Sequence, residues 1–371
     1  MKFNIFEFYV NLRLKSHSNY PKLEKLDVDK INTILIFSNT AIGDTLFNTP
    51  VFRALKENFP SKKLVVILNP TNYKLFENNR YIDEIILYDG RWKNFFSVLK
   101  QIKKYSIDLS LILHSNEPQA TPLAVLSASK YIIKIPNNKT KYSIYHNNVE
   151  IGPYHDRHGI FDRLRVLEYL NIKATDPRME LFLDEENKEE ISNFFIKNNI
   201  DKKKDILIGF QIGASTVSRM WFDEKWIELG KKLLDSHVNI KIILTGSPSE
   251  KNLTSKVSNA LNNDRVYNLA GEFNIKSAAA LIGMIDVFIT PDTGPLHIAA
   301  SLRVPTITLF AAAKWYVSNP CFDEDIHLYI QKDRTCELCI GKSCKFQECM
   351  LQISIEEVYE RIIILINKLN R

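Results

Sequence analysis

Ile289-Thr290-Pro291-Asp292-Thr293-Gly294-Pro295-Leu296-His297-Ile298-Ala299-Ala300 is the stretch that decides the fold. The run Asp286-Val287-Phe288-Ile289 ahead of it reads as a buried strand, and the small residues after Gly294 read as a helix with His297 on its first turn. A strand that breaks at Asp-Thr-Gly and enters a helix builds an anion site. The free N–H groups and the positive end of the helix dipole favour phosphate, and Gly294 lets a ligand approach the backbone. In open α/β sheets, ligands bind outside the carboxyl ends of strands. An ordinary strand–helix junction with Thr293 as its cap is the alternative.

Outward from this stretch the same alternation repeats. Thr33–Phe37, Leu64–Leu68, Glu84–Leu87 and Leu109–Leu113 read as strands, and helices are expected over 45–58, 94–104, 122–128 and 161–170. A polar segment, 136–158, reads as loop, and residues 171–188, with Asp176-Pro177, read as a linker. The pattern then restarts with a helix over 188–198, strands Ile206–Gln211 and Ile240–Thr245, and helices over 226–236, 253–261 and 278–285. Strand 287–290, helix 295–302, strand 306–310 and an amphipathic helix over 354–369 complete it. Strands alternating with helices imply parallel sheets covered on both faces. The fold class is therefore α/β, with two doubly wound halves. The expected divisions are an N-terminal extension 1–30, a first domain 31–175, a second domain 176–353 and a closing helix 354–371.

With 371 residues, 45% of them hydrophobic and 25% charged, the chain has the make-up of a globular protein of about two domains. A net charge of +6 is far from that of a dedicated nucleic-acid binder and suits phosphorylated ligands or an anionic surface. No apolar run reaches the roughly 18–20 residues that span a bilayer. Glu7 interrupts the first apolar run and no small-residue cleavage site follows, so the chain is expected to stay in the cytoplasm. Ile5, Phe8, Tyr9 and Leu12 fall on one helical face, followed by Arg13 and Lys15. That face would either pack on the following domain, the preferred reading, or lie on a membrane surface. Cys336, Cys339, Cys344 and Cys349 crowd together; reduced structural thiols are preferred over a zinc or iron–sulfur site because the spacing is uneven.

Four segments in one order resemble glycosyltransferase family 9, the ADP-heptose:lipopolysaccharide heptosyltransferases of Gram-negative bacteria. They are Ile34-Leu35-Ile36 through Ala41-Ile42-Gly43-Asp44 to Pro50, and Gly213-Ala214-Ser215 with Arg219 and Trp221. Leu244-Thr245-Gly246-Ser247-Pro248-Ser249-Glu250 with Asn268-Leu269-Ala270-Gly271 is the third. Asp292-Thr293-Gly294 with His297, Ala299-Ala300 and Val304-Pro305 through Phe310 is the fourth. The resemblance covers roughly residues 31–355. It implies the GT-B architecture, two Rossmann-like domains facing across a cleft, an acceptor-binding first domain, and a nucleotide-sugar-binding second domain.

The resemblance places a catalytic carboxylate at Asp44, which would take the proton from the acceptor hydroxyl. A helix-start Asp favoured by the dipole is the plain alternative. No Asp-x-Asp motif stands at a strand end, so the leaving diphosphate would be met without metal or other cofactor by Ser215, Thr216 and Arg219. Relatives often carry Lys where Arg219 stands. Glu250 would accept bonds from the ribose hydroxyls, or simply start a helix. Leu269 would line the adenine pocket, Asp292 contact sugar hydroxyls, Thr293 and Gly294 hold phosphate, and His297 orient that turn or contact the diphosphate. Lys139, Lys141, His146, His155, Arg157, His158, Arg163 and Arg165 form a basic region suited to a phosphorylated core acceptor at the inner membrane surface, unless they are simply solvated. The implied donor is ADP-heptose and the implied acceptor the lipopolysaccharide core. Another nucleotide sugar, a non-lipid acceptor, an epimerase, an oxidoreductase or a non-catalytic binder stay as alternatives. The missing G-x-G-x-x-G argues against the oxidoreductase.

Overall fold

The computed structural model describes residues 5–14, 26–113, 118–135, 142–148, 158–311, 313–333, 336, 341–344 and 346–369. It divides into two compact units, Met1–Phe182 and Leu183–Arg371.

The first unit holds five parallel strands, β1 (Thr33–Ser38), β2 (Lys63–Leu68), β3 (Glu84–Leu87), β4 (Leu109–Leu113) and β5 (Tyr131–Ile135), in the order β3-β2-β1-β4-β5. The order reverses between β1 and β4. β1 is buried from Ile34 to Ser38, as a central strand covered on both faces must be. The helix Ile42–Asn58 follows β1 and carries Pro50 in its interior. Proline removes the N–H that would bond the carbonyl four residues back. Here the Thr49 hydroxyl donates to the Leu46 carbonyl at 2.7 Å, so the orphaned acceptor is satisfied and the helix continues.

The second unit has six parallel strands, β6 (Ile206–Gln211), β7 (Ile240–Thr245), β8 (Val266–Asn268), β9 (Val287–Pro291), β10 (Thr306–Phe310) and β11 (His327–Gln331). Their order is β11-β10-β9-β6-β7-β8, with the reversal between β6 and β9. Its core gathers Phe210, Trp221 and Trp226, whose rings pack at 4.9 Å (Phe210–Trp226) and 5.2 Å (Trp221–Trp226). The helix Ile355–Asn367 buries Val358, Ile362 and Leu365 in the same core, so it belongs to the second unit rather than standing apart.

Three expectations change. The division falls after Phe182, not after residue 175. Arg53 reaches the carbonyls of Asp176 and Arg178 at 2.9 Å each, and Glu180 N–H donates to Thr49 Oγ1 at 3.0 Å, which ties 176–180 to the first unit's long helix. The end of the expected linker is already helical, since the next helix runs Glu185–Lys197. On the N-terminal helix Ile5–Leu14, Val10 and Leu14 are buried among the described side chains, while Phe8, Tyr9 and Leu12 are exposed. The face singled out in the sequence is therefore largely the outward one. The helix docks through its other side, where the Tyr145 hydroxyl donates to the Leu14 carbonyl at 3.0 Å.

Candidate active site

The reversal point of the second sheet lies between the ends of β6 and β9, and the anion-site residues expected there do converge. β9 ends at Pro291, Asp292 follows, and the helix Gly294–Ser301 begins after Thr293. Thr293 occupies the cap position in extended geometry, yet its side chain makes no cap hydrogen bond. No acid stands in the helix's first turn. The dipole and early amides are thus not answered by the helix's own side chains. His297 is buried in the first turn.

The loop after β6 crosses to this turn. Arg219 Nη1 donates to the Asp292 carbonyl at 2.8 Å and lies 3.6 Å from its Oδ2, with the arginine side chain 26% exposed. Ser318 Oγ donates to Asp292 Oδ1 at 3.2 Å. Arg219 is therefore bound across the reversal point, not a loose surface residue, and it uses few of its five N–H groups there. Ser215 is exposed, Thr216 is half-buried, and Thr216 Oγ1 lies 3.1 Å from Ser218 Oγ. Gln347, to which the sequence motifs assign no role, holds this loop from behind. Its Nε2 donates to the carbonyls of Val217 at 2.7 Å and Met220 at 2.6 Å.

Glu250 takes the helix-start place, one of its two readings. Its Oε2 accepts from the Ser247 N–H at 2.6 Å and hydroxyl at 2.8 Å, a capping box before the helix Lys251–Leu261. Its Oε1 leans over Gly213, where a Cβ would come within 1.7 Å. A side chain at this position would have to displace the Glu250 carboxylate. Leu269 is nearly buried, and Gly271, at φ +65°, packs so tightly on Pro248 that a Cβ would meet its Cα at 2.7 Å.

In the first unit, Asp44 sits in the first turn of Ile42–Asn58 with its side chain 31% exposed. The preceding turn is pinned by side chains. Thr45 Oγ1 lies 3.1 Å from both the Ser38 and Ala41 carbonyls, Asn48 donates to Ser38 Oγ at 2.7 Å, and Asn72 donates to the Thr40 carbonyl at 2.7 Å. Arg163 Nη2 donates to Asp44 Oδ1 at 2.9 Å.

That contact corrects the basic region. Arg163 and His158 are buried; His158 caps the helix Gly159–Leu164 by accepting from the Ile160 N–H at 3.2 Å. His146 is largely buried against Thr121, 2.9 Å away, and burial, helped by the charge of Lys134, pushes its pKa down to about 4. These three face inward because each has a local partner to satisfy. Arg165 is half-buried. Lys139, Lys141, His155 and Arg157 lie outside the described residues. Nothing in the sequence pattern marks Lys134, a buried ammonium near the end of β5 whose pKa burial lowers to about 8.

Cys336, Cys344 and Cys349 are free thiols, as is Cys321; Cys339 lies outside the described residues. Burial raises the Cys349 pKa, with smaller contributions from Cys344 and Cys336. Among the described residues no group of three or more His, Cys, Asp or Glu is arranged to hold a metal ion.

Comparison with known proteins adds to this geometry. The sequence pattern of "Glycosyltransferase family 9 (heptosyltransferase)" matches residues 100–350. The chain is 28% identical over 337 residues to lipooligosaccharide heptosyltransferase 2 of Campylobacter jejuni, covering 88% of this chain and 96% of that protein. Among solved structures, a glycosyltransferase family 9 protein from Veillonella parvula aligns with TM-score 0.78 at 19% identity, covering 92% of this chain and 99% of that one. ADP-heptose lps heptosyltransferase II of E. coli aligns with TM-score 0.74 at 19% identity, covering 91% and 99%.

Proposed function

Because the chain belongs to glycosyltransferase family 9, we propose that it transfers heptose from ADP-heptose to a sugar of the lipopolysaccharide core, inverting the anomeric carbon without a metal ion. It is a glycosyltransferase, and its two Rossmann-like units are those of the GT-B fold. The acceptor oxygen attacks the anomeric carbon while Asp44 takes its proton. The bond from that carbon to the β-phosphate oxygen breaks, and ADP leaves with the electron pair. The charge it gains is met by the amides at the start of Gly294–Ser301, the Thr293 hydroxyl and Arg219. Glu250 receives the ribose hydroxyls, Leu269 borders the adenine, and Ser215 and Thr216 donate to the diphosphate. Asp292 orients the sugar, with His297 behind the turn.

The observation that carries this reading is the bridge from Arg219 to Asp292, which brings a guanidinium to an unanswered helix start at a sheet reversal point. Calorimetry in EDTA tests it. ADP is expected to bind, and product analysis on truncated core acceptors to give a linkage whose anomeric configuration is opposite to the donor's. Binding that appears only when magnesium or manganese is restored rejects the metal-free reading, and a product that keeps the donor's configuration rejects inversion.

A lipid-linked acceptor would place the protein in the cytoplasm against the inner membrane. The outward residues Phe8 (59% exposed), Leu12 (54%) and Tyr9 (44%), with Arg13 4.8 Å over the Tyr9 ring, support a peripheral contact through the N-terminal helix. No helix among the described residues is long and apolar enough to cross a membrane. Co-sedimentation with anionic phospholipid vesicles should be lost in a Phe8→Glu/Leu12→Glu variant that still binds ADP; unchanged sedimentation rejects the contact.

A further inference from the structure

Arg163 is a buried cation in a costly position. Its side chain is 5% exposed, Nη1 donates to the Gly159 carbonyl at 2.6 Å, and Nη2 donates to Asp44 Oδ1 at 2.9 Å. Its Nε is buried and has no hydrogen-bond partner among the described residues. A buried, under-satisfied ion pair adds little stability, since desolvation offsets the attraction, and a well-packed apolar pair would often do as well. Stability alone therefore does not explain why this guanidinium is here.

Its surroundings fix its position from three sides. Cζ lies 5.1 Å from the Phe47 ring centroid, and Phe47 stands on the same helix as Asp44, one turn further along. His158 packs its ring 5.2 Å from Phe47. At Gly159 a Cβ would approach Arg163 Nη1 to 2.9 Å and two Phe47 ring carbons to 3.2 Å each, so the position admits nothing larger than hydrogen without a shift of its neighbours. The helix Gly159–Leu164 thus holds a rigid planar fork against the first turn of Ile42–Asn58, and the fork touches the one carboxylate there. Burial pushes the Arg163 pKa down, and Asp44, with Asp162, pushes it back up, so the carboxylates work to keep the guanidinium charged.

We propose that Arg163 is the positioning residue of the transferase base: by gripping Asp44 Oδ1 and the Phe47 ring together, it sets the rotamer in which the carboxylate meets the acceptor hydroxyl. This rests on the reading of Asp44 as the proton acceptor. Arg163 touches neither substrate in this role. It acts through Asp44, and its effect belongs in kcat rather than in donor binding.

The test is a cycle of Asp44→Asn, Arg163→Gln, Arg163→Lys and the Asp44→Asn/Arg163→Gln double variant in the full chain, assayed with saturating acceptor. Arg163→Gln should lower kcat by about 10- to 100-fold, with donor KM and ADP affinity within a few-fold. Arg163→Lys keeps the charge but loses the fork, and should fall between that variant and the parent. On the Asp44→Asn background, adding Arg163→Gln should cost less than about threefold more, because the group it positions is gone. Folded Gln and Lys variants with parental kcat overturn the proposal, as does a double variant whose losses multiply. Should the Gln variant not fold, the Lys variant decides alone: a several-fold loss of kcat at unchanged donor KM supports the role, and parental kcat rejects it. A parental rate in Asp44→Asn itself sinks the reading of Asp44 as base, and is told apart from the other outcomes by that single variant.

Discussion

The two units repeat one strand order, yet two helices that start beside the reversal points of their sheets answer the helix dipole in opposite ways. In the first, the helix after β1 carries its own anion, Asp44, in its first turn. In the second, the helix after β9 has Gly294, Pro295 and Leu296 there and no acid. One helix start carries a negative charge, which the proposed reaction would turn on a proton-bearing ligand. The other leaves its positive end unanswered, as the proposed diphosphate site requires. On the proposed reaction, one fold element would serve as base and anion receptor alike, the choice resting on which side chains occupy a single turn.

The largest effects should come from disabling each of those roles in turn. Asp44→Asn keeps the shape and removes the proposed proton acceptor, so turnover should fall by about 10²–10⁴-fold, while ADP affinity stays within a few-fold. Arg219→Ala should weaken ADP binding and turnover together, by roughly 10- to 100-fold, because a charged hydrogen-bond donor is worth about 1.5–3 kcal/mol in either state. Steady-state kinetics with parallel calorimetry separates them. An Asp44 variant that loses ADP, or an Arg219 variant that keeps it, would break the division of labour.

A smaller effect concerns acid. Each unit buries one histidine against a threonine hydroxyl: His146 by Thr121 at 2.9 Å, and His327 by Thr306 at 3.0 Å. Burial pushes both down to about 4, with Lys134 adding to it at His146 and Arg303 opposing the neighbouring aspartates at His327. Because the folded values lie below the ordinary 6.5, the unfolded chain takes the proton first. Stability is full above about pH 6.5 and falls as pH drops toward 4, by up to about 3 kcal/mol per histidine. Denaturant melts at pH 7 and pH 4.5 should show both units weakening. In His327→Asn the acid loss of the second unit should shrink while that of the first persists; a variant with the parent's full pH dependence would rule out His327 as its source.

The smallest is confined to the first unit. Thr49→Val leaves the Leu46 carbonyl and the Glu180 N–H without their shared hydroxyl, at a cost of about 1–3 kcal/mol. Hydrogen exchange should show earlier opening of the helix around Pro50 and of residues 176–180, with the second unit unchanged. Equal loosening of both units would mean that the hydroxyl is not a local repair.

The central strands are legible in the sequence because burial on both faces leaves continuous apolar runs. The strands that escape such a reading, β5, β8 and β11, lie at sheet edges. β5 carries Lys134 and β8 is three half-buried residues, so neither has the apolar signature. The second unit's site is legible for a related reason: its residues cluster in short motifs at strand ends. The Arg163–Asp44 contact is not, since 119 positions separate the partners and a lone arginine among basic neighbours resembles a solvated surface. The N-terminal helix shows a different limit. Periodicity finds a face with Phe8 and Leu12, but cannot tell that these point outward while Val10 and Leu14 are buried.

Gln347 sets a boundary for anyone who wishes to shorten this chain. The last strand of the second sheet ends at Gln331, which makes the residues beyond it look dispensable. Yet Gln347 holds two carbonyls of the loop that bears Arg219, Lys225 Nζ reaches the Ile353 carbonyl at 2.6 Å, and the Trp221 indole donates to that same carbonyl at 3.3 Å. A chain cut after the sheet would keep every described strand and lose the brace of the Arg219 loop, so the shortest useful version ends well past the last strand.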